Sequence, residues 1–165
     1  MNHAVEMYTK AFSLTLAPGM ATTLNLAGKQ RMLLQEMAKE AQLILKQVNP
    51  EENRARLKDA MSLFEQTLKG LMTGDNALGL PGTQKDTPVY HQLLAVEALW
   101  QTYKPMLEKF LKKETNYPEA EQESDLIEAR RINLQLLMQV HKSVNLYEQA
   151  VGLQMSPLLP WKSMQ

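Results

Sequence analysis

Apolar residues recur at intervals of three and four over two stretches of this chain, residues 57–71 and residues 89–110. Because an α-helix has 3.6 residues per turn, residues at these intervals lie on one face of a helix. Each stretch is therefore predicted to form a helix with one buried face. The predicted buried residues are Leu57, Ala60, Met61, Phe64, Leu68 and Leu71 in the first stretch, and Val89, Leu93, Val96, Trp100, Tyr103, Leu107 and Phe110 in the second.

Two longer helices are predicted to flank this pair, from about Ala21 to Val48 and from about Asp125 to Leu153. The first has a broad apolar arc and, beside it, a narrow seam whose spacings of four and three are typical of coiled coils. The seam indicates either a contact with a partner or a solvated edge. The broad arc is Leu26, Leu33, Leu34, Met37, Ala41, Ile44, Leu45 and Val48; the seam is Leu24, Gly28, Arg31, Gln35 and Ala38; the arc of the last helix is Ile127, Leu134, Leu137, Met138, Val140, Val144, Tyr147 and Val151.

Prolines and glycines set the expected ends of these helices. Residues 49–52 (Asn-Pro-Glu-Glu) and residues 87–88 (Thr-Pro) each combine a capping residue with a proline at the first helical position, so a helix is expected to begin at each. Gly74 is expected to end the helix before it. Pro105 is expected to kink the third long helix or to split it. The polar residues 112–125 are expected to connect the third and fourth long helices.

Four amphipathic helices with short connections predict an all-α fold, an antiparallel up-down-up-down four-helix bundle. A further apolar repeat over about residues 4–16 adds a short extra N-terminal helix. The chain accordingly divides into a short N-terminal helix or lead-in (residues 1–19), the four-helix domain (residues 20–155) and a C-terminal tail (residues 156–165). The composition agrees, since 27 Leu and 11 Met outnumber 7 Val and 3 Ile, and β-branched residues favour strands.

Charge and composition disfavour several classes of function. Lys and Arg number 18 and Asp and Glu number 18, so the formal net charge is zero. Nucleic-acid binding and polybasic membrane-surface binding are therefore disfavoured. The chain has no Cys, which removes disulfides and thiol catalysis. No apolar run is long enough to span a bilayer, so membrane attachment is expected only through segments absent from this chain.

The sequence carries no motif for catalysis or for a cofactor. Di-iron sites in helix bundles use Glu-x-x-His pairs, and none occurs here. The three histidines, His3, His91 and His141, lie far apart, so no metal site and no other cofactor is predicted, and we expect no enzymatic activity. His141 falls in the apolar arc of the last helix and is expected to be a core histidine. Three residues of the first long helix are expected on a solvated face: Glu36, Lys39 and Glu40.

One segment of the first long helix points to a function: residues 25–39, which read NLAGKQRMLLQEMAK. This segment closely resembles the signature of the PilJ-type sensor domain, the N-terminal extracytoplasmic part of type IV pili methyl-accepting chemotaxis transducers. It departs from the family pattern with Leu34 where the family has Ser and with Glu36 where it has Arg. Residues 93–103 and 133–148 are similar to the third and fourth helices of the family, so the resemblance covers most of the predicted bundle.

The resemblance implies the periplasmic ligand-binding sensor domain of a bacterial chemoreceptor or signal transducer, or a free-standing periplasmic relative of it. The family forms a homodimer through its first and last long helices. In related nitrate-responsive sensor kinases, an arginine at the position of Arg31 binds nitrate or nitrite between the two subunits. By this resemblance, Arg31 is the candidate ligand of a small anion. Gly28 would allow close approach, and Met32 and Gln35 would line the site. Asn25, at the start of the motif, completes the candidate ligand-binding set.

The chemistry of Arg31 agrees with this implication. A guanidinium group is well suited to binding a planar oxyanion. Two guanidinium groups brought together by a dimer axis would repel each other, and a bound anion would relieve that repulsion. The bland alternative is that Arg31 only forms an ion pair with a nearby acid. A second function also stays open: a helical protein-interaction module without a small-molecule ligand, which would contact its partner through the seam and through the tail around Trp161.

Overall fold

The computed structural model describes residues 19–113 and 116–155, with side chains up to residue 152. Four helices make up most of these residues. The predicted helix at residues 4–16 and the predicted tail at residues 156–165 lie outside the described residues. The helices are α1 (Met20–Leu45), α2 (Pro50–Thr73), α3 (Pro88–Leu111) and α4 (Glu119–Met155).

The four helices form a closed bundle. α1 packs against α2 and α4, and α3 packs against the same two helices, so consecutive helices are neighbours and α4 returns to α1. Residues 46–49 and residues 74–87 make the first two connections. The first connection is short, and in the second the Thr83 amide donates to the Met72 carbonyl at 3.2 Å, so the start of α3 stays beside the end of α2. The helices joined by these two connections therefore run antiparallel. The predicted all-α four-helix bundle is confirmed.

Both helix starts predicted from a proline are confirmed. α2 begins at Pro50 and α3 begins at Pro88. At the start of α3, the Thr87 hydroxyl accepts a hydrogen bond from the Tyr90 amide at 3.2 Å. This contact satisfies one of the amide groups that have no partner within the first turn of a helix. The Thr-Pro pair therefore fixes where α3 enters the bundle.

Pro105 does not break the third helix. α3 continues through Pro105 to Leu111 as one helix, so of the two predicted outcomes the split is wrong and the kink stays a prediction. Tyr103 and Leu107, on either side of the proline, are both buried in the core. Their packing holds the two halves of the helix together, while Pro105 itself lies on the exposed side.

α4 begins earlier than its apolar pattern predicts. It begins at Glu119, directly after Pro118, rather than near Asp125. The Gln122 amide donates to the Pro118 carbonyl at 2.9 Å. The Tyr117 hydroxyl donates to the Asp125 carboxylate at 2.6 Å, which ties the incoming chain to the second turn of the helix.

The centre of the bundle is an aromatic cluster on α2 and α3. Trp100 packs on Phe64 with 4.6 Å between the ring centroids and lies 6.2 Å from Tyr103. Asn133 of α4 is buried beside them and donates to the Tyr103 hydroxyl at 3.0 Å and to the Leu34 carbonyl at 2.9 Å. One side chain thus joins α1, α3 and α4. Every residue predicted to be buried on α2 and α3 is in this core.

The predicted apolar arc of α4 is buried only in part. Ile127, Leu134 and Met138 are 61%, 62% and 64% exposed, because α1 and α3 cover the other side of the helix. On α1 the broad arc is mostly buried or half-buried, but Val48 lies beyond the end of the helix and is exposed. The buried apolar residues of α4 are Ala129, Ile132, Leu136, Val140, Val144, Tyr147 and Val151.

Candidate anion-binding site

The middle of α1 and the second half of α4 meet at the bundle surface through Arg31 and His141. Arg31 Nη1 lies 3.0 Å from His141 Nδ1. Because a guanidinium group can only donate hydrogen bonds, the histidine nitrogen accepts, and the ring proton is on Nε2. His141 is exposed and Arg31 is half-buried. The prediction of a core histidine is therefore wrong, and the residue is instead the partner of the candidate anion ligand.

The guanidinium of Arg31 has no carboxylate within ion-pair distance among residues 19–113 and 116–155. Other cations of the bundle do have one: Lys104 lies 2.8 Å from Glu65, and Lys109 lies 2.8 Å from Asp125. The alternative that Arg31 only pairs with a nearby acid does not hold in this part of the chain. Its positive charge is available to an external anion.

Exposed apolar side chains lie near the Arg31–His141 contact, two on the same face of α4 as His141 and one next to Arg31 in the sequence of α1. Met138 lies one turn and Leu134 two turns before His141, at the spacing of one helix face. Met32 follows Arg31 on α1 and is 42% exposed. We call these five residues the α1/α4 surface. It combines a cation with exposed apolar area, and exposed apolar patches bordered by polar groups are typical of binding sites.

The sequence-predicted site residues lie along α1 in differing degrees of burial. Gly28 is buried, Asn25 and Arg31 are half-buried, and Met32 and Gln35 are exposed. From Asn25 to Gln35 is about 15 Å along the helix, so one small anion cannot contact both. Gly28, Met32 and Gln35 lie within about one turn of Arg31 along the helix, and of these three only Met32 and Gln35 are exposed. Asn25 lies farther along the helix, and its Oδ1 is buried without a hydrogen-bond partner among the described residues.

The two departures from the family motif both lie away from Arg31. The side chain of Leu34 is fully buried in the core, so the hydroxyl it replaces would not have faced solvent on the α1/α4 surface. Glu36 lines a groove between α1 and α2, on another side of α1. The charge reversal at Glu36 therefore changes that groove more directly than it changes the surroundings of Arg31.

The groove between α1 and α2 holds a second titratable group, Glu40, whose predicted exposure is wrong. Glu40 is only 4% exposed, and its Oε2 has no hydrogen-bond partner among the described residues. Burial, reinforced by the neighbouring charge of Glu36, raises the pKa of Glu40 from 4.5 to about 7. Arg56 and Asp59 also line this groove, which has a volume of about 380 Å³. Its mixed charges make it a poor site for an anion.

An apolar cleft of about 620 Å³ lies at one end of the bundle. It is formed between the start of α1, the connection between α2 and α3, and the end of α4. Thr83 of that connection lies 2.8 Å from the hydroxyl of Tyr147, which fixes one wall. None of the described side chains that line the cleft is charged, so it suits an apolar group rather than an oxyanion.

The described part of the chain offers neither a metal site nor a membrane span. No three His, Asp or Glu side chains within residues 19–113 and 116–155 are grouped so that they could hold a metal ion. None of the described helices has the length and apolarity needed to cross a membrane. The fold and the α1/α4 surface together define a helical binding domain.

Comparison with known proteins identifies the family. The model of the type IV pili methyl-accepting chemotaxis transducer N-terminal domain, PilJ, matches residues 12–126. This match spans more than half of the chain, which therefore belongs to the PilJ family and is a sensor domain of the chemoreceptor type. The match ends early in α4, so the resemblance at residues 133–148 and the contact residue His141 lie outside it. No curated protein matches the sequence.

A solved structure agrees with this assignment at the level of the fold. The chain is similar to the ligand-binding domain of the P. aeruginosa nitrate receptor McpN, with a TM-score of 0.63 and 23% sequence identity. The similarity covers 79% of this chain and 96% of that one. The family and the similar structure are both receptor domains rather than enzymes.

Proposed function

We propose that this chain is the periplasmic sensor domain of a chemotaxis transducer and binds a small oxyanion, such as nitrate or nitrite, between two copies of itself. The observation that carries the proposal is the guanidinium of Arg31, which lies on an open surface without a carboxylate partner in the described residues. A charge in this position gains most from an anion that binds to two of its N–H groups at once. The likeness to a nitrate receptor domain supports nitrate as the first anion to test.

The homodimer is proposed to form through α1 and α4. Leu134 and Met138 are more than half exposed although they are large and apolar, and covering them by a second copy would be favourable. Such a contact would bring two copies of Arg31 into a region with less water. Their mutual repulsion would then oppose association until an anion binds between them. Anion binding and dimerisation would therefore stabilise each other.

Signalling is proposed to follow from a small shift of α1 and α4 relative to their counterparts in the second copy. Helices at subunit interfaces shift by about 1–2 Å in allosteric transitions. α4 is a single helix from Glu119 to Met155, so a displacement near His141 is carried along its length. We expect no catalytic activity, and any membrane attachment through segments outside this chain.

A thermal-stability panel tests the proposed function. The purified domain is heated with nitrate, nitrite, sulfate, phosphate, carboxylates or chloride at constant ionic strength. An anion present at about 100 times its dissociation constant should add about 2.7 kcal/mol, which is a shift of several degrees in Tm. Arg31→Ala should remove the shift, and the matched control Arg56→Ala, on the exposed side of α2, should keep it. A shift that survives in Arg31→Ala would contradict the site.

The alternative function, a helical protein-interaction module, uses the same exposed apolar residues of α4. It differs in its prediction for anions, since such a module would show no Tm shift with any member of the panel. It would also keep its self-association or its binding to another protein after Arg31→Ala, because apolar area rather than charge would stabilise the contact. The panel therefore separates the two functions.

A further inference from the structure

We propose that His141 is the second anion-binding residue of this site, and that the Arg31–His141 pair offers only hydrogen-bond donors to its ligand. This inference rests on the proposed function and extends it to a residue on another helix. The family match ends at residue 126, so nothing in that match covers His141. The first support for its role is the direction of one hydrogen bond.

The contact with Arg31 fixes which nitrogen of His141 carries the proton. Arg31 Nη1 lies 3.0 Å from His141 Nδ1, and only Nδ1 can accept, so a neutral imidazole in this arrangement has its proton on Nε2. Among the described residues, Nε2 of His141 has no hydrogen-bond partner. Since the side chain is exposed, this N–H is open to a ligand beside the guanidinium.

The pair therefore has a definite chemical preference. The lone pair of Nδ1 is occupied by Arg31, and the guanidinium has no acceptor, so every free polar group of the pair is a donor. A ligand that brings only acceptors satisfies all of them, as a deprotonated oxyanion does. An ammonium group would place donors against donors, and a neutral hydroxyl oxygen would accept a weaker hydrogen bond than a charged oxygen does. The pair therefore favours a small inorganic oxyanion strongly over an amine and more weakly over an alcohol.

The surroundings strengthen this preference. Met138 lies one turn before His141 on α4, and it is 64% exposed. Once a second copy covers this side chain, the hydrogen bonds of the pair would form in a less aqueous setting, where they are stronger. Lys142, next to His141 in the sequence, adds a further exposed cation on the same helix.

Calorimetric titration with nitrate and, separately, with nitrite tests the inference at a fixed pH. Loss of one hydrogen bond to a charged group should weaken binding about 10- to 100-fold in His141→Ala. His141→Gln retains an amide donor and an acceptor for Arg31, so it should recover most of the affinity. His91→Ala removes an exposed histidine of α3 and serves as the matched control, with unchanged affinity expected. Circular dichroism of each variant checks that the bundle is folded.

Nitrogen-15 spectra of the histidine rings separate direct binding from a mere orientation of Arg31. In the free domain, the His141 signal should report a proton on Nε2. Nitrate should shift the Nε2 signal of His141 and leave that of His91 in place. An unperturbed Nε2 signal in the presence of bound nitrate would overturn the inference, and so would a proton on Nδ1 in the free domain.

The outcomes distinguish this inference from the proposed function. If the wild type binds nitrate or nitrite and His141→Ala binds it equally well, only the role of His141 is overturned. If the wild type binds neither anion, the inference fails together with the oxyanion site. A weakened His141→Ala, recovered by His141→Gln, supports both.

Discussion

Helix α4 carries large apolar side chains on two opposite faces, and the two faces differ in what covers them. Leu136 is fully buried against α1 and α3, whereas Leu134, two residues before it, is 62% exposed. Polar side chains follow the same division. Asn133 faces inward and is satisfied by two buried partners, while His141 faces outward and meets Arg31. The inward face therefore builds the bundle, and the outward face remains available for ligand and partner.

Apolar character alone does not assign a residue of α4 to the core. Burying Leu136 stabilises the monomer, because its side chain is removed from water on folding. Exposing Leu134 contributes nothing of this kind to the monomer. A large apolar side chain at an exposed position stabilises only a complex in which a partner covers it. In the proposed dimer, a second copy of the chain covers Leu134.

The largest expected effect is the difference in unfolding free energy between alanine variants of these two leucines. Leu136→Ala should lower the free energy of unfolding by about 2–5 kcal/mol, because it leaves a cavity in the core. Leu134→Ala should change it by no more than about 0.5 kcal/mol. Urea unfolding at low protein concentration, where association contributes little, measures both. An equal decrease in the free energy of unfolding in the two variants would contradict the assignment of one face of α4 to the core and the other to the surface.

A smaller effect is expected at the buried amide of Asn133. Asn133→Ala removes its hydrogen bonds to the Tyr103 hydroxyl and the Leu34 carbonyl and leaves both groups buried without this partner. The cost should be about 1–3 kcal/mol of unfolding free energy. Asn145→Ala, on the exposed side of α4, is the matched control and should cost no more than about 0.5 kcal/mol. Urea unfolding is again the measurement, and a cost no larger than that of the control would contradict the bridging role.

α1 shows the same contrast between a buried and an exposed side chain, at Glu40 and Glu36. Because both side chains are carboxyl groups, the effect of burial on the free energy of unfolding depends on pH. The pKa of Glu40 is raised from 4.5 to about 7 by burial. Between these values the folded state keeps a proton that the unfolded state releases, so the free energy of unfolding falls as the pH rises. At pH values below this range, burial of Glu40 does not lower the free energy of unfolding. At pH values above it, the free energy of unfolding is lower by the full amount, roughly 1–3 kcal/mol.

Neutral variants make this prediction specific. Glu40→Gln should match the wild type near pH 4.5 and be more stable than it above pH 7, because the amide never acquires the buried charge. Glu36→Gln, at an exposed position of the same helix, should leave most of the pH dependence in place. Thermal unfolding of the three proteins from about pH 4 to about pH 8 is the measurement. A Glu40→Gln variant that gains no stability relative to the wild type as the pH rises across this range would contradict the burial of Glu40.

Much of the fold could be predicted from the sequence because local patterns determine it. The stripes of α2 and α3 have a single apolar face, so periodicity identifies the buried side, and the Thr-Pro pair before α3 marks its start. α4 is different, because both of its faces are apolar. Periodicity places Leu134 and Leu136 on opposite sides but does not say which side the other helices cover. That choice depends on how α4 packs against α1 and α3.

The candidate site was predictable only on α1. The motif at residues 25–39 made Arg31 a candidate, and the structure places that residue on an open surface. Its partner His141 lies 110 residues later in the sequence, so no local pattern could join the two. The burial of Glu40 could not be predicted from the sequence for a similar reason. The charged residues around it suggest a solvated face, but α2 covers its side chain.

Sedimentation of the domain with nitrate and with chloride at equal ionic strength is the decisive experiment, since it reads dimerisation and anion binding together. Nitrate should raise the association constant of the wild type by about 5- to 150-fold, the usual range for coupling between two binding events. It should have no such effect on Arg31→Ala. An association constant that is the same in nitrate and in chloride, or an equal response of Arg31→Ala, would contradict a dimer that binds its oxyanion through the α1/α4 surface.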